Sequence, residues 1–227
     1  MVSPQNETEA AITTRRSIRG FRPDPVDRAT IEHLLDIAAR APSGTNIQPW
    51  RVIALAGAPL DDFRAGLAAA FEAGATSAAE RQYYPTPLPE PYLARRRKIG
   101  WALYGHLGIA RGETEKMRAH LLRNLAFFGA PVGLICTIDA RLEIGSWIDY
   151  GMFLQTLAIA ARARGLDSCH MAVFAEFPAV IRPLLGIPAE EQIVCGMAIG
   201  VADPDAPANA LRTVREPATE FAQFRGF

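Results

Sequence analysis

Neither sign of charge is in excess in this chain: 24 Lys and Arg balance 24 Asp and Glu, for a formal net charge of zero at pH 7. Overall charge therefore offers no argument for a nucleic-acid or membrane-surface partner. It does fit a protein that hides surface by self-association. Cysteine is scarce, with three in 227 residues. The number is odd and there is no Cys-x-x-Cys pair, so a disulfide framework or a zinc site has little to be built from. Cys136 and Cys195 lie in apolar runs, where a free thiol acts as a small buried hydrophobe. No basic-then-apolar leader opens the chain, and no run of about 18 or more apolar residues occurs. A soluble, cytoplasmic protein with no membrane partner is expected.

Several catalytic templates are missing too. No Gly-x-Gly-x-x-Gly follows a strand and no Gly-x-x-x-x-Gly-Lys-Ser/Thr occurs, so neither a dinucleotide fingerprint nor a P-loop is present. There is no Gly-x-Ser-x-Gly elbow. His33, His106, His120 and His170 are scattered, and Cys169-His170 is adjacent rather than spaced for a metal, so no metal site is expected. With no nucleophile–base pair in view, an enzyme here would rely on a cofactor for its chemistry.

What is present suffices for a full core: 49% hydrophobic residues in a chain of this length fit a single domain over 1–227. Asp27 to Arg40 reads as a capped helix with Ile31, Leu34, Leu35 and Ala38 on one face. A strand follows at 50–56 and a helix at 60–73. Residues 74–112 hold a Pro- and Tyr-rich stretch, then the basic run Arg95-Arg96-Arg97-Lys98, and read as an inserted lid. Helix returns over 113–128, with a buried strand at 131–138. The helix over 146–164 is apolar nearly all round, so it must be buried in a core or a subunit interface; Gly165 closes it. A short helix at 177–185 and a strand at 193–201 precede an aromatic tail, 203–227, that reads as an extended arm.

Two motifs carry chemistry. Arg15-Arg16-Ser17-Ile18-Arg19 packs three guanidinium groups and a hydroxyl into five residues, a donor set that suits a phosphate monoester. A solvated basic patch is the other reading, and spacing alone leaves both open. Pro42-Ser43-Gly44-Thr45-Asn46-Ile47-Gln48-Pro49-Trp50 combines stiffness, close backbone approach and hydrogen-bonding side chains, as a loop facing a flat polar ligand needs. Together the two segments supply complementary halves of a nucleotide-like site.

These two motifs, in this order, resemble the flavin-dependent nitroreductase family. The resemblance continues through Phe128-Gly129-Ala130-Pro131-Val132-Gly133, Asp149-Tyr150-Gly151, Leu184-Leu185-Gly186-Ile187-Pro188, Cys195-Gly196-Met197-Ala198-Ile199-Gly200 and Arg215-Glu216-Pro217, nearly the whole chain. It implies an α+β fold, a mixed sheet flanked by helices, in an intertwined homodimer with FMN at the interface. It makes the apolar helix the dimer core and the aromatic tail an arm around the partner. By the same resemblance Arg15, Ser17 and Arg19 hold the FMN phosphate and ribityl chain with Arg16 adjacent, and Arg215 is a late phosphate contact. Pro42, Ser43 and Gly44 reach the flavin ring of the other subunit and Asn46 braces that loop. Ala172 and Val173 turn backbone N–H groups toward flavin N5, and Asn124 matches an amide contact to the pyrimidine edge.

The implied reaction is a ping-pong transfer: NADH or NADPH delivers a hydride and leaves, then a nitroaromatic or related acceptor takes two electrons on the same face. Arg95, Arg96, Arg97 and Lys98 raise the possibility of an anionic, nitrobenzoate-like acceptor, against the alternative of solvated helix charges. Two rivals remain. A reductive dehalogenase of the iodotyrosine deiodinase type shares the Arg-Arg-Ser opening and the Pro-Ser-Gly loop, and amino-acid quenching of flavin fluorescence would favour it. A non-catalytic flavin-binding protein would leave NAD(P)H unoxidised.

Overall fold

The computed structural model describes residues 3–227. Its centre is a four-stranded sheet built from β1 (Arg51–Ala56), β2 (Val132–Asp139), β3 (Asp167–Met171) and β4 (Glu191–Gly200), in the order β1-β2-β4-β3. All three ladders are antiparallel. The expected mixed sheet takes its parallel character from one isolated bridge, Ser17 beside Ser168. From Gln192 to Gly200 every residue of β4 is buried. An antiparallel sheet often leaves one face to water; helices cover both faces here.

Period-two alternation divides the core into two layers. Leu134, Cys136, Ile138, Met197 and Ile199 point to one side, against Leu34, Tyr150, Phe153 and Leu157. Those partners come from α2 (Arg28–Ala38) and α6 (Ile144–Ala163). Ile135, Ile193 and Ala198 point to the other side, with Phe63, Phe127, Phe174 and Ile181. Phe127 stacks on Phe174 at 4.6 Å between ring centroids. That layer is closed by α3 (Gly57–Glu72) and α7 (Pro178–Leu185).

Local chemistry explains the boundaries. The Asp27 carboxylate accepts from Thr30 N–H at 2.8 Å and starts α2. Gly165, at φ 77°, follows α6 in the left-handed region, as expected of that helix end. The helix expected over 113–128 is α5 (Thr114–Leu125), because Phe127 and Phe128 both take positive φ, 55° and 53°, and break the α-helical path. Three elements were not anticipated: α1 (Glu7–Thr14), β3, and α4 (Tyr92–His106). Within 74–112, α4 has no buried residue, so no apolar stripe marks it in the sequence. The tail adds a 3₁₀ turn at Pro207–Ala210 and a four-residue helix, α8 (Ala218–Phe221).

Candidate functional site

The arginine segment follows α1 and lies along the edge of β3. Ser17 bridges Ser168 in parallel, and Ile18 N–H donates to Ser168 O at 3.0 Å. Ile18 is fully buried between its polar neighbours and pins the segment to the core. Arg22 N–H donates to Val201 O, and Asp203 N–H donates to Gly20 O. The first and last parts of the chain are thus sewn together at this edge.

That stitching gathers cations. Burial depresses the Arg15 guanidinium, and the nearby charge of Arg215 depresses it further. Arg16 is lowered by burial and then by Arg212, with Asp167 opposing. Among the described residues, Arg15, Arg16, Arg19, Arg212 and Arg215 take part in no ion pair. Arg15 Nε is buried with no hydrogen-bond partner, and so is Asn124 Oδ1 on α5. A buried polar atom without a partner forfeits on the order of 1–3 kcal/mol, so each of the two atoms is open to a ligand. Arg19 Nη1 donates to Ser17 O at 3.3 Å. His120, one helical turn before Asn124, is held below its ordinary range by burial first and then by Arg19 and Arg123; a neutral imidazole therefore faces this cationic edge.

The Pro42–Trp50 loop is strained and internally stapled. Thr45, Asn46 and Gln48 all take positive φ, at 48°, 61° and 49°, a conformation that costs energy for non-glycine residues and clusters at binding sites. Gln48 N–H donates to Ser43 Oγ at 3.1 Å and Asn46 N–H to Ser43 O at 3.0 Å. Gly44 N–H donates to Asp149 Oδ2 at 3.1 Å, which ties the loop to the buried side of α6. Residues 44–48 are nonetheless exposed. Trp50, at the loop's end, stacks on Phe153 at 4.9 Å and belongs to the core.

After β3 the chain enters a 3₁₀ turn, Ala172–Glu176. Its first N–H groups have no partner inside the turn, and Ala172 and Val173 are half-buried. The structure sets Ser17 beside Ser168 on the edge of β3, with Arg15 and Arg19 near Cys169 and Arg215 near Arg15, and puts Ala172 and Val173 directly after that strand. Pro42, Ser43, Gly44 and Asn46 lie on the α6 side, where Gly44 is tied to Asp149. A cavity of about 330 Å³ lined by Glu80, Arg81, Tyr83, Ile144, Trp147 and Gln192 contains none of Arg15, Arg16, Arg19, Arg212 and Arg215.

The donor set fits a cofactor bearing a phosphate and a planar, hydrogen-bonding ring: unneutralised guanidinium groups, an orphaned Arg15 Nε and an orphaned amide oxygen on Asn124. Sequence reasoning passed over Asp149 as a loop tether and Asn209, which joins the tail to the arginine segment. Asp149 opens the Asp149-Tyr150-Gly151 segment of the resemblance, but nothing there points to the loop. Asn209 occupies the short run Pro-Ala-Asn-Ala, where turn propensity is the only signal.

Comparison with known proteins places the site among relatives. Residues 12–201 match the nitroreductase family. The chain is 40% identical to the 4-nitrobenzoate reductase of Pseudomonas putida, covering 98% of this chain and 97% of that one. It is 36% identical to the nitrobenzene nitroreductase of Ectopseudomonas oleovorans, over 94% of each. The fold superposes on the crystal structure of the FMN-dependent nitroreductase NfnB from Mycobacterium smegmatis in complex with NADPH with a TM-score of 0.92. That match has 30% identity and covers 96% of this chain and 98% of that one.

Proposed function

The chain belongs to the nitroreductase family, and from that premise we propose that it is an FMN-dependent oxidoreductase that uses NADPH or NADH to reduce nitroaromatic acceptors. Relatives that reduce 4-nitrobenzoate and nitrobenzene, and a neighbour named for FMN and bound to NADPH, support this reading. The observation that carries it is the group of guanidiniums without counter-ions around the unpartnered Arg15 Nε.

Arg15, Ser17, Arg19 and Arg215 take the phosphate and ribityl chain, with Arg16 alongside. Asn124 Oδ1 accepts from the ring's imide-like edge. Ala172 and Val173 offer backbone N–H groups to the reacting nitrogen, and fixed donors aimed at developing charge need no reorganisation during reaction. Pro42, Ser43 and Gly44 serve the ring of the partner subunit's cofactor, and Asn46 braces them. FMN, when bound, supplies two-electron transfer between a reduced nicotinamide and the acceptor. The protein positions, excludes water and stabilises charge; no side-chain acid or base and no metal is required.

We further read the chain as one domain over 1–227, with a lid at 74–112 and a dimer-wrapping arm at 203–227. Ile144 and Ile148, exposed at 76% and 61% on the otherwise apolar α6, support a homodimer through that helix. Three buried free cysteines suit the cytoplasm. On the lid helix Arg95 already pairs with Glu216 at 3.1 Å and also lies over Tyr92. Arg96 lies over the Tyr84 ring, which leaves Arg97 and Lys98, with no ion pair among the described residues, to attract a carboxylate.

Purification followed by flavin identification and anaerobic turnover tests the whole reading. The expected result is a yellow protein that oxidises NADPH in the presence of 4-nitrobenzoate. Bound flavin with no NAD(P)H oxidation would instead identify a non-catalytic binder. Flavin quenching by halogenated tyrosine without nitro-dependent oxidation would move the chain to the dehalogenases. On the finer point, R97Q/K98Q should raise KM for 4-nitrobenzoate and leave nitrobenzene alone; equal effects on both would dismiss the lid as an anion filter.

A further inference from the structure

Asn209 is a buried polar residue outside the site's own motifs, yet its side chain and carbonyl are fully engaged. It is 7% exposed, in the 3₁₀ turn of the tail. Its Oδ1 accepts from Arg19 N–H at 2.8 Å. Its Nδ2 donates to Gly20 O at 2.8 Å and to Asp203 O at 2.9 Å. Its carbonyl accepts from Arg16 Nη1 at 2.7 Å and from Arg212 Nη1 at 2.8 Å. One amide therefore joins the N-terminal arginine segment, the start of the tail and the stretch leading to Arg215.

The packing around it is equally close. A Cβ on Gly20 would meet the Ala206 Cβ at 2.3 Å, so the two segments approach as only glycine permits. Electrostatics opposes this arrangement. Burial lowers Arg15 and Arg16 most, and Arg215 adds to the first shift as Arg212 adds to the second, as like charges held near one another do. Neutral hydrogen bonds must supply the restraint, because a carboxylate at this point would neutralise the cations and compete with an incoming anion.

We propose that Asn209 is a positioning residue for the anion cradle: by clamping Arg16, Arg19 and Gly20 to the tail, it fixes the spacing between Arg15 and Arg215 that a phosphate monoester requires. Arg16 then serves the site through Asn209, its Nη1 committed to the Asn209 carbonyl. The inference rests on the FMN reading given above.

The test compares FMN with riboflavin, which has the same ring and ribityl chain but no phosphate. Full-length wild type, Asn209→Ala and Asn209→Asp are reconstituted with each flavin and diluted serially while flavin fluorescence reports release. Asn209→Ala should weaken FMN by about tenfold to a hundredfold, as loss of buried hydrogen bonds implies, and riboflavin by no more than about twofold. Asn209→Asp adds a charge that competes with phosphate whether or not the clamp holds, so it serves as the control for an FMN-selective loss. If Asn209→Ala does not fold, Asn209→Ser, which removes the paired amide without adding charge, is measured in its place with the same expected outcome. Equal weakening of both flavins, or none, overturns the clamp. A wild type that binds riboflavin as tightly as FMN overturns the phosphate site itself, and the clamp with it.

Discussion

At the scale of single residues, function and stability meet in two half-buried histidines. His170 Nε2 lies 3.3 Å from Leu154 O, which fixes the proton on that nitrogen as donor. Burial pushes its imidazolium down, and Arg15 adds to the shift. His120 is lowered in the same sense. In the unfolded chain both titrate near about 6.5. Below that pH the unfolded state binds protons that the native state refuses, so stability is complete above the ordinary histidine range. It declines as pH falls toward the lowered native values. Thermal melts should therefore show Tm dropping below about pH 6.5, with a shallower drop in His170→Gln. A Tm that stays flat through that window would contradict the assignment of either histidine as neutral and half-buried.

At the scale of elements, α6 is the keystone. Its sequence has no polar face, and the structure explains this on one side: Tyr150, Phe153 and Leu157 fill the layer beneath β2 and β4. Tyr150 is fully buried, and its hydroxyl donates to Arg51 O at 2.7 Å, tying the helix to β1. Next to it, Asp149 holds Gly44. A single turn of helix thus sets both the edge strand and the ligand loop. Tyr150→Phe removes one buried hydrogen bond at constant shape and should cost about 1 kcal/mol. For a chain of this size that is a fall in Tm of about 2–4 °C, measurable by calorimetry; an unchanged Tm would mean the hydroxyl contributes nothing net. Helix α4 makes the opposite case. It has no fully buried residue, and Tyr92 and Trp101 are 56% and 41% exposed.

At the scale of the whole molecule, apolar surface is left over in two places. Ile144 and Ile148 stand out from α6, and Phe221, Phe224 and Phe227 from the tail, at 75%, 64% and 106% exposure. Together with the α6 face this exceeds scattered surface hydrophobes and suits an arm wrapped on a second copy. Deleting residues 218–227 should shift the protein from dimer to monomer in light scattering and release FMN on dilution. A truncated chain that stays dimeric and yellow would show that α6 alone suffices.

The sequence by itself determined the local events. Asp27 caps α2, Gly165 ends α6, and the near-continuous apolar run of β2 marks it as a buried strand, because capping, backbone freedom and local hydrophobicity act over a few residues. It also displayed the two runs proposed above as halves of the site, since Arg15–Arg19 and Pro42–Trp50 are dense in chemically special residues. It was silent on β3, on α4 and on Asn209. The pairing of β3 with β4, the exposed helix α4 and the five hydrogen bonds that converge on Asn209 from residues 16–20, 203 and 212 depend on contacts between distant segments. Only the tertiary structure decides those, because a hydrogen bond spanning 190 positions leaves no periodicity to read.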